Sequence, residues 1–214
     1  MIGKTIIQTM LGDMDLGSPV MDVAPAVRGA LLRELARLEQ PVTRRQLATL
    51  AGVSPGHASS VIEGLVSSGL VHEAIVGRAS LVALNRKHLA AGPVLALAGL
   101  RSELIDRLRD RLGSLRGMRA AWLFGSVARG DAGSSSDVDL LVVVDDLEAP
   151  DLRNGLTLLA GDVIDWTGNA LQVVEHTPTS WRRLLRSGNG LVDEVRRDGI
   201  ALAGDPKPLL ARSR

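Results

Sequence analysis

The chain has no cysteine, no tyrosine and a single phenylalanine, and aromatic residues make up only 2% of it. Each shortage argues against a class of function. Without cysteine there is no disulfide framework and no thiolate metal site, which fits a reducing compartment. With so few aromatics, a base-stacking platform for single-stranded nucleic acid is not expected. Without tyrosine, self-modification would fall on serine or threonine. There is also no long apolar run. The longest, Leu89 to Leu100, is interrupted by Gly92, Pro93 and Gly99. It falls short of the ~20 residues a membrane-spanning helix needs. Near the N-terminus, Lys4 precedes a short apolar stretch broken by Gln8 and Thr9, with Asp13 and Asp15 close behind. This does not read as a secretory signal. The expectation is a soluble, cytoplasmic protein with no membrane partner. Charge of one sign is missing too, since 25 basic residues face 24 acidic ones for a net charge of +1. Between Ala24 and Ala91 arginine and lysine outnumber the acids, a mild basic bias.

What is present is apolar material for real cores, at 45% of the chain. Residues 1–23 show no sustained period and read as a lead-in. Val27, Leu31, Leu35 and Leu38 recur at helical spacing and predict a helix over 24–38. Thr43 is a suitable N-cap for a second helix, Arg44 to Leu50, burying Leu47 and Leu50. Ser54, with Pro55 behind it, suits the start of a third helix. Val61, Ile62, Leu65 and Val66 form its apolar face, and Gly69 ends it. Val71 to Val76 and Ser80 to Leu84 read as strands joined at Gly77 and Arg78. Three helices and a hairpin in this order predict a winged helix-turn-helix.

A leucine stripe from Leu97 to Leu115 predicts a linking helix. It reads as core packing rather than a dimer zipper, with a homodimer left open. Strands follow at 119–124, 138–144 and 170–175. Helices are expected at 151–166, 178–186 and 191–197. The expected class is therefore α+β. A winged-helix domain over 1–91 leads to a linking helix over 92–117. A second domain with a small mixed sheet covers 118–204, and a mobile tail covers 205–214.

The chemistry concentrates in one stretch, Leu123-Phe-Gly-Ser-Val-Ala-Arg-Gly-Asp-Ala-Gly-Ser-Ser-Ser-Asp-Val-Asp-Leu. Gly125 stands at a strand end, where backbone must come close to something. Ser126 adds a hydroxyl and a backbone N–H at the start of a short helix, where phosphate is favoured. Asp137 and Asp139 are two apart on a strand, so both carboxylates point to one face. Val138, Leu140 and Val142 point the other way. Two adjacent carboxylates repel each other and favour a hard divalent cation, Mg²⁺ or Mn²⁺, completed by substrate phosphates. Ser134 to Ser136 read as loop rather than nucleophile, because no base accompanies them. His72, His88 and His176 have no metal-ligand spacing and read as structural.

Gly-Ser, then Ala-Arg-Gly, then Ser-Asp-x-Asp-Leu eleven positions on resembles the minimal nucleotidyltransferases of the DNA polymerase beta superfamily. The resemblance implies that Gly125 and Ser126 bind the phosphates of an NTP and that Asp137 and Asp139 bind metal and are catalytic. Arg129 and Gly130 match as well, with Arg129 a nucleotide contact or a loop anchor. The winged helix followed by this domain is also similar to bacterial regulators that carry a nucleotidyltransferase domain. The ending Arg196 to Gly204 fits that group. One position departs from the pattern. Active members carry a third acid on a later strand, and the matching position here holds Gln172, which cannot act as a base. Glu175 falls on the opposite face, and Asp165 is on the preceding helix.

Three functions follow. The first is a Mg²⁺-dependent enzyme moving NMP from an NTP to a hydroxyl acceptor. The second is a DNA-binding regulator whose nucleotidyltransferase domain only senses nucleotide, as Gln172 favours. The third is an antitoxin-like protein that holds a protein partner. The expected third helix carries no lysine or arginine. Contacts to double-stranded DNA would therefore fall to Ser54, His57, Ser59 or Ser60 for bases, and to Arg44, Arg45 and Arg78 for phosphates.

Overall fold

A computed structural model describes residues 13–210. Residues 1–12 of the lead-in and 211–214 of the expected tail lie outside the described residues. The chain divides into two units. One covers 18–100; the other takes 13–17 together with the chain from Arg101 onward.

The first unit begins with α1 (Pro19–Val23) and α2 (Ala26–Arg37). The next two helices start where side chains can satisfy the free N–H groups of the first turn. In α3 (Arg44–Leu50), Thr43 accepts from the Gln46 N–H at 3.1 Å and Gln46 accepts from the Thr43 N–H at 2.9 Å, a reciprocal capping box. In α4 (Pro55–Ser67), Ser54 caps the turn and Pro55 opens it. The hairpin is β2 (Val71–Val76) with β3 (Ala79–Leu84). A short strand, β1 (Val42–Thr43), adds to β3, giving an antiparallel sheet in the order β1-β3-β2. The helix α5 (Ala91–Ala98) closes the unit. Leu31, Leu35, Leu47, Ile62, Leu65 and Val82 form its core. This is a winged helix-turn-helix.

Two expectations need correction here. Leu50 is 51% exposed and Ala48 is buried in its place beside Leu47. A seven-residue helix turns only one narrow face to the core, and Leu50 lies off that face. Arg44 is not held out for phosphate. Its guanidinium meets Glu73 on β2 through two bonds of 2.7 Å, and also reaches Ser59 and Glu63 on α4. That pairing raises the Arg44 pKa and lowers that of Glu73.

The expected linking helix is two helices. α5 stops at Gly99, and α6 (Leu100–Gly113) begins at the boundary between the units. The second unit then runs β4 (Met118–Phe124), α7 (Gly125–Arg129), β5 (Val138–Val144), α8 (Pro150–Thr167) and β6 (Leu171–His176). It continues through α9 (Pro178–Arg186), α10 (Gly190–Asp198), β7 (Ile200–Gly204) and α11 (Pro206–Leu210). The sheet order is β6-β5-β4-β7, with β5 and β6 parallel and the other pairs antiparallel.

Strand alternation divides the core of this unit in two. Ala121, Leu123, Val138, Leu140 and Val142 pack with α6, α7 and α8. Trp122, Phe124, Leu141 and Val143 pack with Trp181 of α9 and with Val192 and Val195 of α10. The segment from Asp205 is not a loose tail as far as residue 210. Leu209 and Leu210 pack on the second core, and the Leu209 carbonyl accepts from the Trp181 indole N–H at 2.7 Å.

Trp181 is fully buried, with its ring centroid 5.9 Å from that of Trp122. Trp181→Phe keeps the ring contact and removes the donor. The expected loss is roughly 1–3 kcal/mol in denaturant unfolding, with faster amide exchange over 206–210. Unchanged exchange there would show that the indole bond does not hold α11.

Candidate active site

The sequence of β5 fixes the position of the two acids. Val138 and Leu140 are fully buried in the first core. Asp139 therefore shares the opposite face with Leu141 and Val143, the face that α9 and α10 cover further along. Asp137 precedes β5 on the same side and is exposed, while Asp139 is half-buried. The backbone just before Asp137 is held by Asn169, which is 1% exposed. Its amide nitrogen donates to the Ser136 carbonyl at 2.9 Å and to the Met14 carbonyl at 3.2 Å. The Val138 N–H donates to the Ala170 carbonyl at 2.8 Å. The acids thus stand on a firmly bonded strand end.

Opposite them is the turn from β4 into α7. Phe124 pairs with Asp139 in the antiparallel register, so the next residue, Gly125, comes directly against the Asp139 side chain. Gly125 has φ +72°, a conformation that costs a side-chain-bearing residue 1–2 kcal/mol or so. A Cβ built there would overlap a carboxylate oxygen of Asp139. Both observations require glycine. Ser126 follows, half-buried, and its carbonyl accepts from the Gly130 N–H at 2.9 Å and the Asp131 N–H at 3.1 Å. Ser136 is structural: its hydroxyl accepts from the Gly133 N–H at 3.0 Å.

The structure brings Gly125, Ser126, Asp137, Asp139 and Gln172 together. The parallel register puts Gln172 directly beside Asp139, and its amide nitrogen donates to Asp137 at 3.3 Å. Glu175 pairs instead with Val142, three residues along from Gln172. Asp165 is exposed on α8. Arg129 serves as an anchor, bonded to Asp131 at 3.2 Å and to Glu194 at 2.9 Å. These carboxylates raise its pKa.

Glu194 is a residue that sequence reasoning missed. α10 packs Val192 and Val195 on the face of the sheet that carries Asp139, and this carries Glu194 toward the acids. The one visible signal was the pair of valines at helical spacing. Asn169 was missed as well, and nothing in the sequence marks its long-range bonds.

Among the described residues no group of three or more His, Asp or Glu side chains could hold a metal ion. The site offers two carboxylates beside a turn whose missing Cβ keeps one of them accessible. That donor set, all hard oxygen, suits a Mg²⁺ or Mn²⁺ ion that takes its remaining ligands from substrate phosphates and water. The histidines do not contribute. His88 accepts from the Ala90 N–H at 3.1 Å, and His176 lies 3.1 Å from the Ser180 hydroxyl against Trp181. Burial lowers the His176 pKa.

The DNA-contact residues read from the sequence lie in the other unit. Arg45 is exposed on α3, Arg78 is exposed in the β2–β3 turn, and His57 is exposed on α4 with its ring 3.1 Å from the Ser54 hydroxyl. Arg44 is committed to Glu73 and Glu63.

Burial raises the Asp139 pKa above the ordinary aspartate value. The charges of Asp137 and Glu194 add to the rise, and Arg129 opposes it. An acid that protonates more readily folded than unfolded lowers stability as it ionises. The loss begins at the unfolded value of about 3.9, grows up to the raised folded value, and is constant above it. Asp139→Asn is therefore expected to raise the melting temperature of the metal-free protein at neutral pH. The gain should vanish as pH falls through the ordinary aspartate range. Calorimetry across that range checks it, and an unchanged or lower Tm at neutral pH would contradict the account.

Residues 104–175, from α6 through β6, match the family described as "Nucleotidyltransferase domain". No match was found among the curated proteins. Similar solved structures include a toxin–antitoxin with AMP-PNP, at 23% identity and a TM-score of 0.33, covering 51% of this chain and 77% of that one. RV1404 from Mycobacterium tuberculosis is similar at 18% identity and a TM-score of 0.35, covering 47% and 71%. A MarR-family transcriptional regulator from Silicibacter pomeroyi is similar at 18% identity and a TM-score of 0.32, covering 70% and 81%. No helix among the described residues is long and apolar enough to cross a membrane. Behind its winged helix-turn-helix, the chain is therefore similar to the nucleotidyltransferase-domain family over residues 104–175.

Proposed function

We propose that the protein transfers NMP from an NTP to a hydroxyl acceptor, with a divalent cation held by Asp137 and Asp139. The observation that carries this is the close approach of Gly125 to the Asp139 carboxylate, with Asp137 on the same face. The Ser126 hydroxyl and the N–H groups of the Gly125 turn bind the phosphates. The two acids hold the cation that the phosphates also need. When bound, Mg²⁺ neutralises phosphate charge and aids departure of pyrophosphate. The acceptor oxygen forms a bond to the α-phosphorus. The bond from that phosphorus to the bridging oxygen breaks, and pyrophosphate leaves with the electron pair. Gln172 has no basic atom. The acceptor's proton therefore passes to solvent water and not to the side chain at that register position. The winged helix directs the enzyme to its target, a protein or double-stranded DNA. Of the arginines read as phosphate contacts, Arg45 and Arg78 are exposed.

A second reading is favoured by the Gln172 contact with Asp137. In it the site binds nucleotide and metal but turns over slowly or not at all, and nucleotide occupancy serves a regulatory or antitoxin-like role. One experiment separates the two. Each of the four NTPs, labelled at the α-phosphate, is incubated with Mg²⁺ or Mn²⁺ and cell lysate. Wild type is compared with Asp137→Asn/Asp139→Asn and with Gln172→Asp. Label transferred by wild type and lost in the double variant supports the enzyme. If a missing base limits the rate, Gln172→Asp should raise transfer by about 10²-fold or more. Nucleotide binding without label in wild type would sink the enzyme reading and leave the sensing one.

A further inference from the structure

The loop between Ser126 and Asp137 is fastened from outside by two segments that contain none of the motif. One is Arg101, half-buried near the start of α6. Its Nε donates to the Val127 carbonyl at 2.6 Å and its Nη2 donates to the Ala128 carbonyl. Those carbonyls belong to the end of α7, where a cation is favoured, and the Val127 carbonyl also accepts from the Gly130 N–H at 3.3 Å. The guanidinium carbon also lies against the Gly130 turn, 3.8 Å from where a Cβ would stand. The other segment is residues 14–17. The Gly17 N–H donates to the Ala132 carbonyl at 3.1 Å, and a Cβ at Gly17 would overlap that oxygen. Met14 is bonded to Asn169, which also holds Ser136. One anchor therefore fixes the loop just after Ser126, one fixes its middle, and one fixes it just before Asp137.

The two anchoring segments share a property of chain position. Gly17 is the last residue before the chain enters the winged-helix unit, and Arg101 is the first residue after it leaves. Both covalent links to the winged helix therefore end on the loop that carries the candidate site.

We propose that Arg101 is a positioning residue that sets the geometry of the Gly125–Ser126 turn from the unit boundary. With Gly17, it makes nucleotide occupancy of this loop and the state of the two links to the winged helix energetically coupled. The proposal rests on the nucleotide-binding reading above. Thermodynamic reciprocity then applies: whatever orders the links for one ligand alters affinity at the other site by the same factor. The physical carrier is short, a guanidinium and a backbone bond on one loop. It does not depend on a long chain of contacts. Arginine is required because its fork reaches two carbonyls at once, whereas the lysine ammonium is a single point of charge.

The test uses the full chain as wild type, Arg101→Ala and Arg101→Lys. Amide hydrogen exchange is followed with and without Mg²⁺ and a non-hydrolysable ATP analogue, and analogue affinity is measured by calorimetry. Without nucleotide, Arg101→Ala should speed exchange over residues 126–132, with Arg101→Lys intermediate. Analogue affinity in Arg101→Ala should fall about tenfold, or about 1.4 kcal/mol. In wild type, the analogue should slow exchange at residues 14–17 and 100–104 as well as in the loop. In Arg101→Ala, the slowing at 100–104 should disappear. A merely structural arginine would change stability and leave analogue affinity and the response at 100–104 intact, and that result would overturn the proposal. So would saturation of wild type with no change at 14–17 or 100–104. Failure of wild type to bind any analogue would instead remove the nucleotide reading and the coupling with it. The nucleotide-free exchange would then still decide whether Arg101 holds the loop.

Discussion

A glycine and an aspartate share a space that admits only one side chain. Phe124 pairs with Asp139 across two antiparallel strands, so the following residue must turn away directly over the Asp139 carboxylate. At Gly125 both the positive φ and the missing Cβ are needed, and any larger residue would strike a carboxylate oxygen. The close approach leaves a carboxylate partly out of water beside a second one, and its pKa rises in consequence. Such a pair destabilises the isolated fold. A divalent cation and the phosphates it brings would reverse that cost.

The sheet supports this arrangement by separating its two faces. Alternate residues of β4 and β5 enter different cores, so the strand end that presents Asp139 is gripped on its other face by Val138 and Leu140. The helices α9 and α10 cover the acid-bearing face. They bring Glu194, which ties Arg129 back against the fold. A motif arginine is thereby balanced by an acid from a distant helix, just as Arg44 in the winged helix is balanced by Glu73. In both units a cation that looked available in the sequence is already paired.

The legible parts of the molecule were those with local causes. Capping by Thr43 and Ser54, the Gly125 turn, and the same-face placement of Asp137 and Asp139 follow from short-range geometry. The position of Gln172 followed from the family resemblance, and the parallel register of β5 and β6 places it where expected. The rest depends on tertiary packing. β7 was not read as a strand, because five residues with two glycines at or beside their ends show no alternation, and its pairing with β4 defines it. Asn169, Glu194 and Arg101 act through bonds to residues 26 or more positions away. Their identities alone carry no such information. The tail was read as loose from its prolines, whereas burial of Leu209 and Leu210 beside Trp181 holds it as far as residue 210.

The central claim is that Asp137 and Asp139, beneath the Gly125 turn, form one cation site that requires nucleotide phosphate. Electron paramagnetic resonance of Mn²⁺ tests it most directly. Free Mn²⁺ is titrated with wild type, Asp139→Asn and Gly125→Ala, each with and without an NTP. The account predicts that wild type with NTP lowers the free-ion signal further than the same NTP does alone, to an end point stoichiometric with protein, and that both variants lose this additional quenching. Equal Mn²⁺ binding by all three proteins would contradict it.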